Sequence, residues 1–179
     1  MPVILSIVGK SGSGKTTLIE KLVPELKRRG MRIGTIKHSA HKIEMDKPGK
    51  DSWRHKQAGA DTVMVVAPQT IAMVKSMPSP SLDGLEKYFD DVDLVLTEGF
   101  KSGPMPKIEV FRQAAHSEPL CRGDDQLIAF VTDTAIDLGV PAFGLDDVDQ
   151  LADLIEERYS AARQCAGHRD PQRSTDISG

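Results

Sequence analysis

The sequence predicts an α/β fold, a mostly parallel sheet flanked by helices, on three consecutive observations. Residues 3–8 are a short apolar run, with the length and composition of a strand buried on both faces of a parallel sheet. Directly after it stands Gly9-Lys10-Ser11-Gly12-Ser13-Gly14-Lys15-Thr16. Beyond that, Leu18, Ile19, Leu22, Val23 and Leu26 recur at helical spacing, the stripe of an amphipathic helix. A strand, a loop of the pattern G-x-x-x-x-G-K-[ST] and a helix in this order are the phosphate-binding unit of a P-loop NTPase.

Each part of that loop has a physical task. Gly9 and Gly14 let the backbone adopt conformations that a β-carbon opposes, so that successive N–H groups can face phosphate oxygens. Lys15 would reach the β- and γ-phosphates and the hydroxyl of Thr16 would ligate Mg²⁺. The positive end of the helix adds to the attraction.

The remaining elements follow in order. The strand at 3–8 is expected at the centre of the sheet. The first helix ends at Lys27-Arg28-Arg29-Gly30, a cationic last turn with a glycine stop, and Pro24 predicts a kink near the fourth residue before it. Residues 32–37 are the second strand. The polar stretch 38–51 is long for a connection in a compact domain, which marks it as functional or disordered. A short helix capped by Asp51 or Ser52 stops at Gly59. Residues 62–67 and 70–74 are β-branched runs joined by Pro68-Gln69 alone, which predicts an antiparallel hairpin at an edge of the sheet. A helix over 81–89 leads to a buried strand over 92–97, then come strands at 107–111, 127–131 and 141–145. The segment 112–126 has no periodicity and reads as a surface excursion. A last helix, capped by Asp146, carries Val148, Leu151, Ala152, Ile155 and Tyr159 on one stripe.

With 179 residues the chain suits one well-buried core, expected as a nucleotide-binding domain over 1–162 with a mobile tail over 163–179. The net charge of −3, without a lysine or arginine cluster, argues against a nucleic-acid surface. No apolar run approaches the roughly 18 residues of a membrane span and no leader pattern opens the chain, so a cytoplasmic protein without membrane contact is expected. Cys121 and Cys165, the only two cysteines, are too few for a disulfide framework or a zinc site.

Phosphate chemistry needs Mg²⁺ ligands and a group that places the attacking atom, and open α/β sheets hold both at the C-terminal ends of their strands. Glu98, after Leu94-Val95-Leu96-Thr97, is the best candidate acid there. Asp93 begins the same strand and should be structural. Asp46, in the long loop, is a second candidate for Mg²⁺ or a water. Lys37, His38 and His41 enter that loop; the two histidines, three apart, lack a third ligand and a helix to hold them. Lys10 resembles the second-position lysine of one P-loop ATPase class that acts across a dimer, without the glycine that follows it there.

Taken together, residues 9–17, Ile36-Lys37-His38, Asp46-Lys47-Pro48-Gly49-Lys50-Asp51-Ser52, Ala58-Gly59-Ala60 and Thr97-Glu98-Gly99-Phe100-Lys101 resemble the molybdopterin-guanine dinucleotide biosynthesis adapter family, MobB. The resemblance spans roughly residues 3–160 and leaves the tail uncovered. It implies a homodimeric GTP-binding adapter with slow Mg²⁺-dependent GTPase activity, which assists the guanylyltransferase MobA in attaching GMP to molybdopterin. On this resemblance Gly12, Ser13, Gly14, Lys15, Thr16 and Thr17 hold the phosphates. Thr16, Asp46 and Glu98 surround Mg²⁺, and Lys37, His38 and Lys101 face the same cleft. Lys15, Glu98 and Asp46 are the expected catalytic groups. Family members often carry another residue where this chain has Lys10.

The N-K-x-D motif that reads guanine elsewhere is absent. Thr132-Asp133 is the best substitute, since a carboxylate can accept hydrogen bonds from guanine N1 and N2; a turn or cap aspartate is the alternative. Two other functions fit the residues: a small-molecule kinase or ligase with its acceptor on Lys42, Lys47 and Lys50, and a metal chaperone using His38 and His41.

Overall fold

A computed structural model describes residues 2–39, 43, 46–78 and 81–167. In chain order its elements are β1 (Val3–Val8), α1 (Lys15–Arg28), β2 (Ile33–Lys37), α2 (Asp51–Gln57), β3 (Thr62–Ala67), β4 (Thr70–Lys75), α3 (Leu82–Leu85), β5 (Leu94–Glu98), β6 (Lys107–Phe111), β7 (Leu127–Thr132), β8 (Ala142–Phe143) and α4 (Val148–Gly167). They form two compact units, Met1–His38 with Lys87–Gly179, and Ser39–Glu86.

The first unit is built on a six-stranded sheet of order β2-β5-β1-β6-β7-β8, parallel at every pairing. The expected α/β class is therefore observed, and β1 lies inside the sheet between β5 and β6. β2 does not neighbour β1, because β5 pairs with both of them. Alternation along each strand divides the residues between two faces. On one face Leu5, Ile7, Leu94, Leu96, Ile108, Val110, Ala129 and Val131 join Leu18, Leu22 and Leu26 of α1 and Leu151, Ala152 and Ile155 of α4 in one core. The other face carries Ser6 and Thr97, whose hydroxyls lie 3.0 Å apart, and Phe111 stacked on Phe130.

Helix α1 runs unbroken through Pro24. Its C-terminus is tied to α4 by Arg29, which binds Glu25 at 2.6 Å, Asp153 at 2.5 Å and Glu156 at 3.1 Å. The cap expected from Asp146 is not made: α4 begins at Val148, and the Asp146 carboxylate pairs instead with Lys21 at 2.6 Å. The Asp147 carboxylate accepts the Gly144 N–H at 2.8 Å, which closes the turn before the helix and, among the described residues, caps none of the helix's own N–H groups. At the opposite end of the sheet from the glycine loop, Asp93 accepts the Arg32 backbone N–H at 2.8 Å and its guanidinium at 3.2 Å, the structural part expected of it.

In the second unit, β3 and β4 pair antiparallel with Ala67 opposite Thr70. The expected hairpin is present but forms a two-stranded sheet of its own rather than an added edge of the large one. Helix α2 starts at Asp51 after an extended Lys50, with no side-chain cap from Asp51 or Ser52. The ammonium of Lys56 holds the far end of this unit, bonding the carbonyls of Ala60 and Asp61 and the hydroxyl of Ser76. Helix α4 continues to Gly167, and the rest of the tail expected to be mobile, residues 168–179, lies outside the described residues. Among the described residues no helix is long and apolar enough to cross a membrane.

Candidate nucleotide site

The glycine loop lies between β1 and α1, at the C-terminal end of an interior strand. Gly9 has φ 144°, and a β-carbon there would stand 2.4 Å from the Val110 carbonyl oxygen and 2.7 Å from Ser13 Oγ. A side chain at this position would push the loop off β6, so glycine is required by space as well as by angle. Gly14 precedes α1 in a left-handed conformation, with no side-chain cap and no acidic residue in the first turn. The N–H groups of that turn are consequently left for an external acceptor. Ser13 is fully buried, and its Oγ has no hydrogen-bond partner among the described residues. Lys15 Nζ donates to the Lys10 carbonyl at 2.9 Å, across the loop.

Glu98 reaches the same place from the end of β5, which the parallel register sets beside Ile7. Thr16 Oγ1 stands 3.2 Å from each Glu98 carboxylate oxygen, and Lys37 Nζ stands 3.6 Å from one of them. Burial lowers the pKa of Lys15; the Glu98 carboxylate opposes the shift, and the ammonium groups of Lys101 and Lys37 add to it. Three lysines around one carboxylate form a locally cationic cleft, the field that attracts a polyphosphate. The hydroxyl and carboxylate are hard oxygen donors of the kind Mg²⁺ takes, and Mg²⁺ needs only one or two of them when phosphates and waters supply the others.

Behind Glu98, Gly99 has φ 122°, and a β-carbon there would meet His38 Cβ at 2.9 Å. His38 packs its ring 4.9 Å from that of Phe100, and its backbone N–H donates to the Glu98 carbonyl at 2.8 Å. Lys37 ends β2, His38 follows it directly, and Lys101 lies three residues past the end of β5. Asp46 belongs to the second unit, where its carboxylate accepts the Lys47 N–H at 2.9 Å. His41 and Lys42 lie outside the described residues.

The opposite flank of the loop holds Asp133 together with His116, Lys107 and Glu109, which the sequence did not single out. Asp133, after β7, accepts the Gln113 N–H at 2.9 Å, which occupies one oxygen of the carboxylate proposed to read guanine. His116 Nε2 lies 2.7 Å from the Ser11 carbonyl oxygen, so the segment 112–126 touches the loop. That segment is anchored on β6: buried Glu109 accepts the N–H groups of Leu120 and Cys121, and buried Lys107 pairs with Asp124 at 2.7 Å. Lys107 and Glu109 share one face of a strand by their period-two spacing. Two charges alternating through an otherwise apolar strand were the available signal that a polar partner covers it.

A glycine loop between a buried strand and an uncapped helix, faced by an acid at the end of a neighbouring parallel strand, defines a P-loop NTPase-like protein. A profile of the family described as Molybdopterin guanine dinucleotide synthesis protein B, MobB, matches residues 4–133. The molybdopterin-guanine dinucleotide biosynthesis adapter protein of Haemophilus influenzae is 44% identical over 156 residues, covering 86% of this chain and 87% of that one. The adapter protein of Escherichia coli is 39% identical over 160 residues, with 86% and 91% covered. A crystal structure of a molybdopterin-guanine biosynthesis protein B superposes with a TM-score of 0.72 at 33% identity, covering 88% of this chain and 99% of that one. The chain belongs to the MobB family of adapter proteins in molybdopterin-guanine dinucleotide biosynthesis.

Proposed function

We propose that this chain is a GTP-binding adapter whose slow, Mg²⁺-dependent GTPase activity accompanies its assistance to the guanylyltransferase MobA, which attaches GMP to molybdopterin. The observation that carries the nucleotide part is the placement of the Thr16 hydroxyl 3.2 Å from both oxygens of Glu98, beside the ammonium of Lys15. The uncapped first turn of α1 and the buried, unpartnered Ser13 Oγ support it, since both call for an acceptor.

In this reading the loop N–H groups and Lys15 hold the β- and γ-phosphates, and Gly12 to Thr17 follow the phosphate chain. Thr16 binds Mg²⁺, which supplies charge neutralisation between the phosphates when bound. Glu98 orients the Thr16 hydroxyl or an attacking water. Lys37, His38 and Lys101 line the cleft, and Asp133 distinguishes guanine through its remaining carboxylate oxygen. Asp46 is assigned to the Mg²⁺ shell by the family resemblance, and a higher magnesium requirement for hydrolysis in Asp46→Asn would support that assignment.

Calorimetric titration of GTP into the wild type and Lys15→Ala tests the core of the proposal. Binding to the wild type and none to the variant is expected; equal affinity for the two removes it. Phosphate release from GTP alone, against release after adding candidate small-molecule acceptors, separates an adapter from a kinase, because acceptor-dependent turnover faster by orders of magnitude belongs to a kinase. The homodimer is proposed on the hairpin of the second unit, where Val66 and Ile71 are 70% and 65% exposed. Pairing of such apolar surface with a second copy removes it from water, and a monomer in sedimentation at high concentration would overturn it.

A further inference from the structure

We propose that Arg112 contacts the nucleoside half of the nucleotide, packing its guanidinium plane against the base; this rests on the nucleotide-binding reading above. Arg112 directly follows β6, the neighbour of β1 on the side away from β5. Its Cδ lies 3.8 Å from the point where a β-carbon on Gly14 would stand, so its stem runs alongside the loop. The side chain is exposed, and its guanidinium makes no hydrogen bond or ion pair among the described residues.

The backbone that carries it is held in place from three directions. The Arg112 carbonyl accepts the N–H groups of Ala115 at 3.0 Å and His116 at 3.1 Å. The next residue, Gln113, is bound by Asp133, and the turn closes onto the loop through His116 and the Ser11 carbonyl. A long side chain whose root is fixed loses less freedom on binding than one on a loose loop.

The direction of the ligand follows from the other flank. Thr16, Glu98 and Lys37 mark the end of the loop on the β5 side as the place for Mg²⁺ and the terminal phosphates. A triphosphate laid along the loop with its terminal end there sends its nucleoside toward β6, where Arg112 stands. A guanidinium plane stacks on an aromatic face and keeps its charge there, which suits a purine.

Titrating GTP and inorganic tripolyphosphate, each with Mg²⁺, into the full-length wild type, Arg112→Ala and Lys15→Ala tests the assignment. Arg112→Ala should weaken GTP roughly fivefold to tenfold, leave tripolyphosphate affinity unchanged and leave the thermal midpoint of the free protein unchanged. Equal weakening of both ligands makes Arg112 a phosphate contact and overturns the proposal, as does unchanged GTP affinity. Lys15→Ala should lose both ligands; if it keeps both, the nucleotide site itself is misplaced and the Arg112 proposal falls with it. Loss of both in Lys15→Ala with no effect of Arg112→Ala refutes the Arg112 contact alone.

Discussion

Glu109 shows how much can depend on a single carboxylate away from the reacting groups. It is 1% exposed and accepts two backbone N–H groups, of Leu120 and Cys121, which no secondary structure satisfies. Glu109→Ala strands both donors in the interior, at a cost of about 2–4 kcal/mol. Denaturant unfolding should show that loss, and a change below about 1 kcal/mol would mean that the segment finds other partners. The same carboxylate acts on its neighbour: burial first, and then the Glu109 charge, push the Cys121 thiol up to about 12. Thiolate is the reactive form, so Cys121 in the folded protein should resist iodoacetamide near neutral pH and become labelled only under denaturing conditions, as peptide mass spectrometry can follow. At the site, Glu98→Gln keeps the shape but loses the charge beside Thr16. GTP hydrolysis should fall roughly 10- to 100-fold, the usual effect of removing a group that orients a metal ligand, while the fold is unchanged in circular dichroism.

At the scale of elements, local pattern and long-range pairing were legible to different degrees. β1, the glycine loop and α1 follow from residues adjacent in sequence, and their bounds were readable because strand period, glycine geometry and helical period all agree. The insertion of β5 between β1 and β2 was not readable, since it depends on pairing across most of the chain. The excursion over 112–126 looked featureless because its order comes from Lys107 and Glu109 on another element rather than from any period of its own. Asp93 was legible in role from its place at the start of a strand. Its bonds to Arg32 hold its carboxyl down at about 2, below the roughly 3.9 of a free aspartate. A folded pKa below the unfolded one gives stability that is fully present above pH 4 or so and is lost as pH falls toward about 2. The stability advantage of the wild type over Asp93→Asn should therefore be constant near neutrality and vanish across that acid window in pH-resolved unfolding.

For the molecule as a whole, the proposed function turns on whether nucleotide binding is coupled to a partner. Among the described residues the chain carries a six-stranded sheet with the phosphate loop and, in a second unit, two short helices and a two-stranded hairpin; the proposed output is contact with a partner protein. A ligand that binds only the folded state stabilises it by RT ln(1 + [L]/Kd), about 2.7 kcal/mol at a hundredfold excess over Kd. For a chain of this size each kcal/mol raises the midpoint by about 2–4 °C, so GTP with Mg²⁺ should raise Tm by roughly 5–10 °C. Lys15→Ala should show no rise, and ATP should give a smaller one if Asp133 reads the base. An adapter further requires that the same ligand change affinity for the guanylyltransferase, because linkage makes the effect reciprocal. Co-purification with MobA should therefore differ with and without GTP in the wild type and not in Lys15→Ala. A complex of equal strength in all four cases would leave the nucleotide site intact and remove its role in the adapter's partnership.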